Sequence, residues 1–167
     1  MTGGPMEAGK FDYRGKSMKI DAIDTIYVAG APDATQAEIE AVEESARPTC
    51  GSCALMDTAN SMNCLTDALG MALPGNGTIV AAHTDREDLF RKAAHRIVEM
   101  SRAYYRDGDD SVLPRSICSH KGLGNAVRMI LVIGGSTNTI LHLLAVAQES
   151  GVDFGIDDFD RISRETP

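Results

Sequence analysis

The sequence predicts a helix-rich chain with few strands. Two observations carry this expectation: capping-box patterns that open apolar runs of helical period, and the near absence of alternating apolar and polar runs. From Ile20 the residues Ile20, Ile23, Ile26 and Tyr27 recur at helical spacing until Gly30, where Ala31-Pro32-Asp33 reads as a turn. Thr35 and Glu38 then make a capping box for a polar helix ending near Ser45, ahead of Pro48. Leu55, Ala59, Met62, Leu65, Leu69 and Ala72 mark one face of a longer helix that Leu73–Gly77 (LPGNG) stops. Thr78–Ala82 is a short apolar segment with the look of a strand. Thr84 and Glu87 form another capping-box pattern, opening a helix through Leu89, Phe90, Ala93, Ile97, Val98 and Met100. Asp107–Pro114 reads as a loop, Ala126–Ile133 as an apolar segment that breaks at Gly134–Asn138 (GGSTN), and Thr139–Ser150 as a helix closed by Gly151.

Composition narrows the function classes. The chain has 167 residues, 43% of them hydrophobic, enough for one domain or a large piece of one. With 16 basic and 24 acidic residues the net charge is −8, and no basic run interleaved with aromatics occurs, which speaks against nucleic acid and anionic membranes as partners. No apolar run approaches the roughly 18 residues of a membrane span, and the first residues, MTGGPMEAGK, lack the regions of a signal peptide; a cytoplasmic location is expected. That glycine-rich start, with no strand ahead of it, reads as an incomplete beginning.

Four cysteines are present: Cys50, Cys53, Cys64 and Cys118. A reducing compartment favours free thiols or metal ligands over disulfides. Zinc wants four ligands, and here a single Cys-x-x-Cys pair stands among scattered histidines (His83, His95, His120, His142). Thioredoxin-like chemistry wants a strand before the pair, and Ala41–Pro48 is polar and helical instead. A helix start that lowers a thiol pKa also suits a thiolate bound to an iron–sulfur cluster, for which two or three cysteines are too few alone. Cys64, inside the helix, reads as a small buried hydrophobe. Gly4–Lys10 fits G-x-x-x-x-G-K, but Phe11 stands where a P-loop needs a hydroxyl for magnesium, so a plain glycine turn is expected. GGSTN places Ser136, Thr137 and Asn138 at a helix start, either as an ordinary N-cap or as donors to a carboxylate.

Taken together, TGGPMEAGK, PTCGSC followed by TANSMNCLTDALGMALPGNGT, the DREDLFRKAAHRIVEM helix and IGGSTNTILHLLAVAQE resemble the dihydroxy-acid dehydratases, within the wider family that includes phosphogluconate and sugar-acid dehydratases. The resemblance covers practically the whole chain. It implies that residues 1–167 are part of an N-terminal domain of three-layer α/β/α build, with an upstream portion and a C-terminal domain outside this chain. It implies a hydro-lyase of branched-chain amino-acid biosynthesis (isoleucine and valine) that converts 2,3-dihydroxy-3-methyl acids to 2-oxo acids. An iron–sulfur cluster, [2Fe–2S] or [4Fe–4S], and Mg2+ are the implied cofactors, and a homodimer the implied assembly. Cys53 matches the family's cluster ligand, Cys50 is a neighbour from a variant motif, and Ser136, Thr137 and Asn138 belong to the substrate pocket. The magnesium ligands and the catalytic serine match no position here. Where the family usually has Ser-Gly-Met-Phe or Gly-Gly-Met-Tyr after the cysteine, this chain has Ala54-Leu55-Met56-Asp57.

Overall fold

The computed structural model describes residues 1–167, with every side chain but that of Tyr13. The chain opens with an antiparallel hairpin of β1 (Gly9–Tyr13) and β2 (Lys16–Ile20), in register from Gly9 opposite Ile20 to Tyr13 opposite Lys16. Its two-residue turn has φ of 50° at Arg14 and 81° at Gly15, the left-handed geometry that matches the twist of paired strands. The usual Asn-Gly signal is replaced by Arg-Gly, so sequence reading leaves this hairpin unannounced. It also settles the glycine-rich start: Gly9 and Lys10 lie in a strand, not in a phosphate loop.

Helix α1 (Ala22–Ala29) starts at Asp21, whose side chain accepts from the Ile23 amide while Asp24 receives the Asp21 amide. Ile20, counted with this helix by periodicity, ends β2 instead. Helix α2 (Gln36–Ser45) has the expected capping box between Thr35 and Glu38. The hairpin and these helices share a small core of Ile20, Val42 and Ala46, flanked by Phe11 and Val28.

The larger core forms around α3 (Thr58–Leu69). Leu65 and Leu69 pack with Leu123, Ala126, Val127 and Ile130 of α6 (His120–Ile133), with Leu143 and Ala147 of α7 (Asn138–Ser150), and with Phe159 and Ile162 of α8 (Ile156–Glu165). Left-handed glycines close three of these helices: Gly70 after α3, Gly134 after α6 and Gly151 after α7. Helix α3 is therefore shorter than its apolar periodicity suggests, because Gly70 stops it before LPGNG and Leu55 lies in the loop ahead of it. Helix α8 has no counterpart in the sequence reading. Among the described residues the sheet is limited to the hairpin, with one further parallel bridge between Pro5 and Ser52, so the chain is helix-rich with a small sheet, as expected for a piece of an α/β domain.

Helix α4 (Asp85–Asp107) forms as expected, but without its capping box. Thr84 already has helical φ and ψ, and Glu87 pairs with Arg91 instead. The residue that docks this helix is Arg86, only 2% exposed. Its guanidinium donates to the carbonyls of Thr2, Asn76 (3.0 Å) and Ile79 (2.7 Å) and lies over the Phe90 ring. Asn76, fully buried, accepts from the Thr2 amide at 2.8 Å and donates to the Asn63 carbonyl at 3.0 Å. Thr78–Ala82 is consequently a turn and not a strand: the Ile79 amide donates to Gly75 and its carbonyl serves Arg86. Beyond Leu89 the helix leaves the core. Ile97 is 59% and Tyr105 83% exposed, and Phe90, Ala93, Ile97 and Met100 line a groove of about 850 Å3 opposite Met71, Leu113 and Ile117. A 3-10 turn (Asp110–Val112) lies within the expected Asp107–Pro114 loop, and the one-turn helix α5 (Pro114–Ile117) follows it and leads into α6.

Burial separates the stabilising roles of these apolar residues. Leu65→Ala should lower the unfolding free energy by about 2–5 kcal/mol in urea titration, whereas Ile97→Ala should stay within about 0.5 kcal/mol. A titratable group beside Arg86 adds a pH dependence. Burial raises the Asp67 carboxyl above its ordinary value of 3.8, against hydrogen bonds from Gly77, Gly75 and Asn76 that lower it. The folded state then binds a proton more tightly than the unfolded state, so stability declines as pH rises from 3.8 through the raised value. Asp67→Asn should flatten that decline and be more stable than the parent at neutral pH; a loss of stability there would show that the charge supports Arg86.

Candidate active site at the start of helix α3

One end of α3 gathers the residues singled out by chemistry. The approach to it, Pro48–Asp57, is irregular and carries Cys50 and Cys53, both free and exposed. Sequence reading places Cys53 directly before the helix; the structure inserts Ala54–Asp57 between them, with Asp57 as an N-cap that makes no side-chain cap bond. The other two cysteines are elsewhere. The Cys64 thiol is buried within hydrogen-bond reach of the Gly77 carbonyl (3.7 Å), and burial, then the nearby Asp67 charge, pushes its pKa up. Cys118 lies in the apolar core. Both are inert as ligands while the fold is intact.

The cysteine loop is fixed on both flanks of Cys53. Ahead of it, the Ser52 amide donates to the Gly4 carbonyl (2.9 Å), the Met6 amide donates to the Ser52 carbonyl (2.8 Å), and Asn63 donates to the Ser52 hydroxyl (3.0 Å). After it, Asn60 donates to the Leu55 carbonyl (3.3 Å) and the Ser61 hydroxyl to the Met56 carbonyl (3.1 Å). Asn60, Ser61 and Asn63 are all buried although they are polar. Such groups persist in a core because leaving a buried partner unpaired costs about 1–3 kcal/mol. The Oδ1 atom of Asn60 is itself buried without a partner.

The GGSTN turn meets the same helix end. The Ser136 amide donates to the Ser61 hydroxyl (3.0 Å), the Ser136 and Thr58 hydroxyls are 3.0 Å apart, and the Asn138 amide group donates to Thr58 at 2.9 Å. The Ser136 hydroxyl also accepts from the Asn138 backbone at 3.3 Å, a local turn one residue ahead of the N-cap position. Thr137 is exposed, occupies the N-cap of α7 and makes no cap bond with its side chain. The structure thus joins Ser136 and Asn138 to the cysteine loop through α3. Sequence reading missed the joining residues Thr58, Asn60, Ser61 and Asn63. Their only signal is the crowding of polar side chains in TANSMN, ahead of the apolar Leu65 and Leu69 of the same helix.

Among the described residues no group of three or more His, Cys, Asp or Glu side chains is assembled for a metal ion, and no helix is long and apolar enough to cross a membrane. The donor set at the loop nonetheless suits a thiophilic group. Two exposed thiols sit on one anchored segment, able to supply part of a ligand set and not all of it.

The whole of residues 1–167 matches the N-terminal region of a family of lyases of the dehydratase type. The chain belongs to the dihydroxy-acid/6-phosphogluconate dehydratase family.

Thiol accessibility tests this description directly. Under native conditions Cys50 and Cys53 should react with a small disulfide reagent at once, and Cys64 and Cys118 only on unfolding. Peptide mapping that found Cys64 labelled as fast as Cys53 would contradict the burial of the α3 core.

Proposed function

We propose that the chain acts as part of a hydro-lyase that dehydrates 2,3-dihydroxy-3-methyl acids to 2-oxo acids in branched-chain amino-acid biosynthesis. The observation that carries this reading is the exposed Cys53 thiol on a loop whose flanking carbonyls are held by buried side chains of α3. Cys53 is the residue that would ligate an iron–sulfur cluster, with Cys50 as its neighbour. The chemistry such a cluster supplies when bound is Lewis acidity toward the substrate's C3 hydroxyl, which makes that hydroxyl a better leaving group.

The chain's own residues have simpler tasks. Cys53 offers a thiolate, and a backbone already fixed at Ser52, Leu55 and Met56 lowers the ordering cost of holding a ligand there. Ser136, Thr137 and Asn138 offer hydroxyl and amide donors suited to the substrate carboxylate, and Thr58 orients two of them. The magnesium ligands and the base that takes the C2 proton belong, in this reading, to other parts of the enzyme, which is proposed to work as a homodimer in the cytoplasm. Residues 1–167 by themselves are then expected to be inactive, since groups that act as a unit lose most of their effect when any is missing. A sugar-acid substrate is the second reading, favoured by the breadth of the family, whose description includes 6-phosphogluconate.

The test is anaerobic reconstitution of the chain with iron and sulfide, followed by visible spectroscopy. A weakly held, brown chromophore should form, disappear in Cys53→Ser and survive in Cys64→Ser. Colour that persists without Cys53 would overturn the ligand assignment, and zinc bound at one per chain with no iron would favour a non-enzymatic helical module. For the substrate, the full-length gene product should form 2-oxo acid faster from 2,3-dihydroxyisovalerate than from gluconate or arabinonate.

A further inference from the structure

Ser61 is fully buried, one turn inside α3, and its single hydroxyl makes two bonds of opposite sense. It donates to the Met56 carbonyl, on the C-terminal flank of the cysteine loop, and accepts from the Ser136 amide, in the GGSTN turn. No backbone hydrogen bond joins those two segments directly. Space around the hydroxyl is close: a Cβ built on Gly135 would stand 3.0 Å from the Ser61 oxygen, so any side chain there would push the hydroxyl aside by a few tenths of an ångström. Thr58, one turn earlier, makes a second contact to the same turn through Ser136 and Asn138, but makes none to the cysteine loop.

We infer that Ser61 is a positioning residue that couples the two halves of the site, setting the place of the GGSTN donors relative to the Cys53 thiol. The inference rests on the proposed function for its chemical meaning but not for its geometry. A hydroxyl that donates one way and accepts the other is polarised by both bonds, and its loss unties both segments together. Alanine at this position removes an oxygen only, leaving the Met56 carbonyl and the Ser136 amide without their partner. Threonine keeps the oxygen.

The experiment compares Ser61→Ala, Ser61→Thr and Thr58→Val with the parent chain by the alkylation rates of Cys53 and Cys50, followed at one pH by peptide mass spectrometry. Cys50 serves as the internal reference on the same segment. In Ser61→Ala the Cys53-to-Cys50 rate ratio should change by about three- to tenfold, the scale of a net hydrogen-bond contribution. Ser61→Thr should restore the parent ratio, and Thr58→Val should leave it in place. Thermal melts accompany each variant, so that a ratio change in a fully folded protein is distinguished from unfolding. If Ser61→Ala melts below the working temperature, Ser61→Cys, which keeps a weak donor of similar size, takes its place. An unchanged ratio in a folded Ser61→Ala variant, or a changed one in Ser61→Thr, overturns the coupling. Reconstitution with iron and sulfide is run in parallel: a parent chain that forms no chromophore defeats the proposed function, while the thiol ratios still decide the role of Ser61.

Discussion

The structure depends on one helix being buried on two chemically different sides. Leu65 and Leu69 of α3 turn to the apolar core with α6, α7 and α8, while Asn60, Ser61 and Asn63 are equally buried against irregular chain. An apolar side is stabilised by the area removed from water, about 25 cal/mol per Å2, and is indifferent to detail. The polar side is different in kind. Each of its side chains must find a partner of the right sense at the right distance, and the partners found are the Leu55 and Met56 carbonyls and the Ser52 hydroxyl of the cysteine loop and the Ser136 amide of the GGSTN turn. A core helix of this kind dictates the conformation of loops that have no regular structure of their own.

The N-terminal segment is recruited by the same logic. Asn76, tied to α3 through the Asn63 carbonyl, and Arg86, at the start of α4, both reach Thr2. Gly4 and Met6 then bridge to Ser52, inside the cysteine pair and immediately before Cys53. Arg86 is held by carbonyl oxygens with no carboxylate within ion-pair distance; burial lowers its pKa and the Asp67 charge opposes that shift. The Arg86 Nε is buried without a partner, and a guanidinium held through its two terminal nitrogens is costly to desolvate and hard to replace, because its planar fork reaches several acceptors at once. The long far half of α4 shows the contrast: it has a good sequence pattern and no comparable tie, and its apolar stripe stays exposed.

What the sequence disclosed follows from whether a signal was local. The Thr35–Glu38 box, the long α4 and the Gly151 stop are all decided by neighbours within a turn, and they are found where their patterns place them. The rest departs from its local pattern. Thr78–Ala82 has the composition of a strand, yet Arg86 takes its carbonyl; Thr84 and Glu87 have the spacing of a box, yet the chain is already helical at Thr84. The hairpin was hidden by an Arg-Gly turn and α8 by its charged surface, with only Phe159 and Ile162 buried. At the site, Cys53 and the GGSTN residues were legible as types of chemistry, and the burial of Cys64 was legible from its place in the helix. That the two segments meet on Ser61 was not, because a serine inside a helix looks the same whether it faces water or a carbonyl.

The central claim is that buried polar side chains of α3 hold the cysteine loop and the GGSTN turn as rigidly as core structure. Native-state hydrogen exchange measures this at single amides. The Ser52, Met6 and Ser136 amides, bonded to Gly4, Ser52 and Ser61 respectively, should exchange as slowly as the central amides of α3 and share their dependence on denaturant. Exchange of these amides at the rate of an open surface loop, while α3 itself stays protected, would contradict the account.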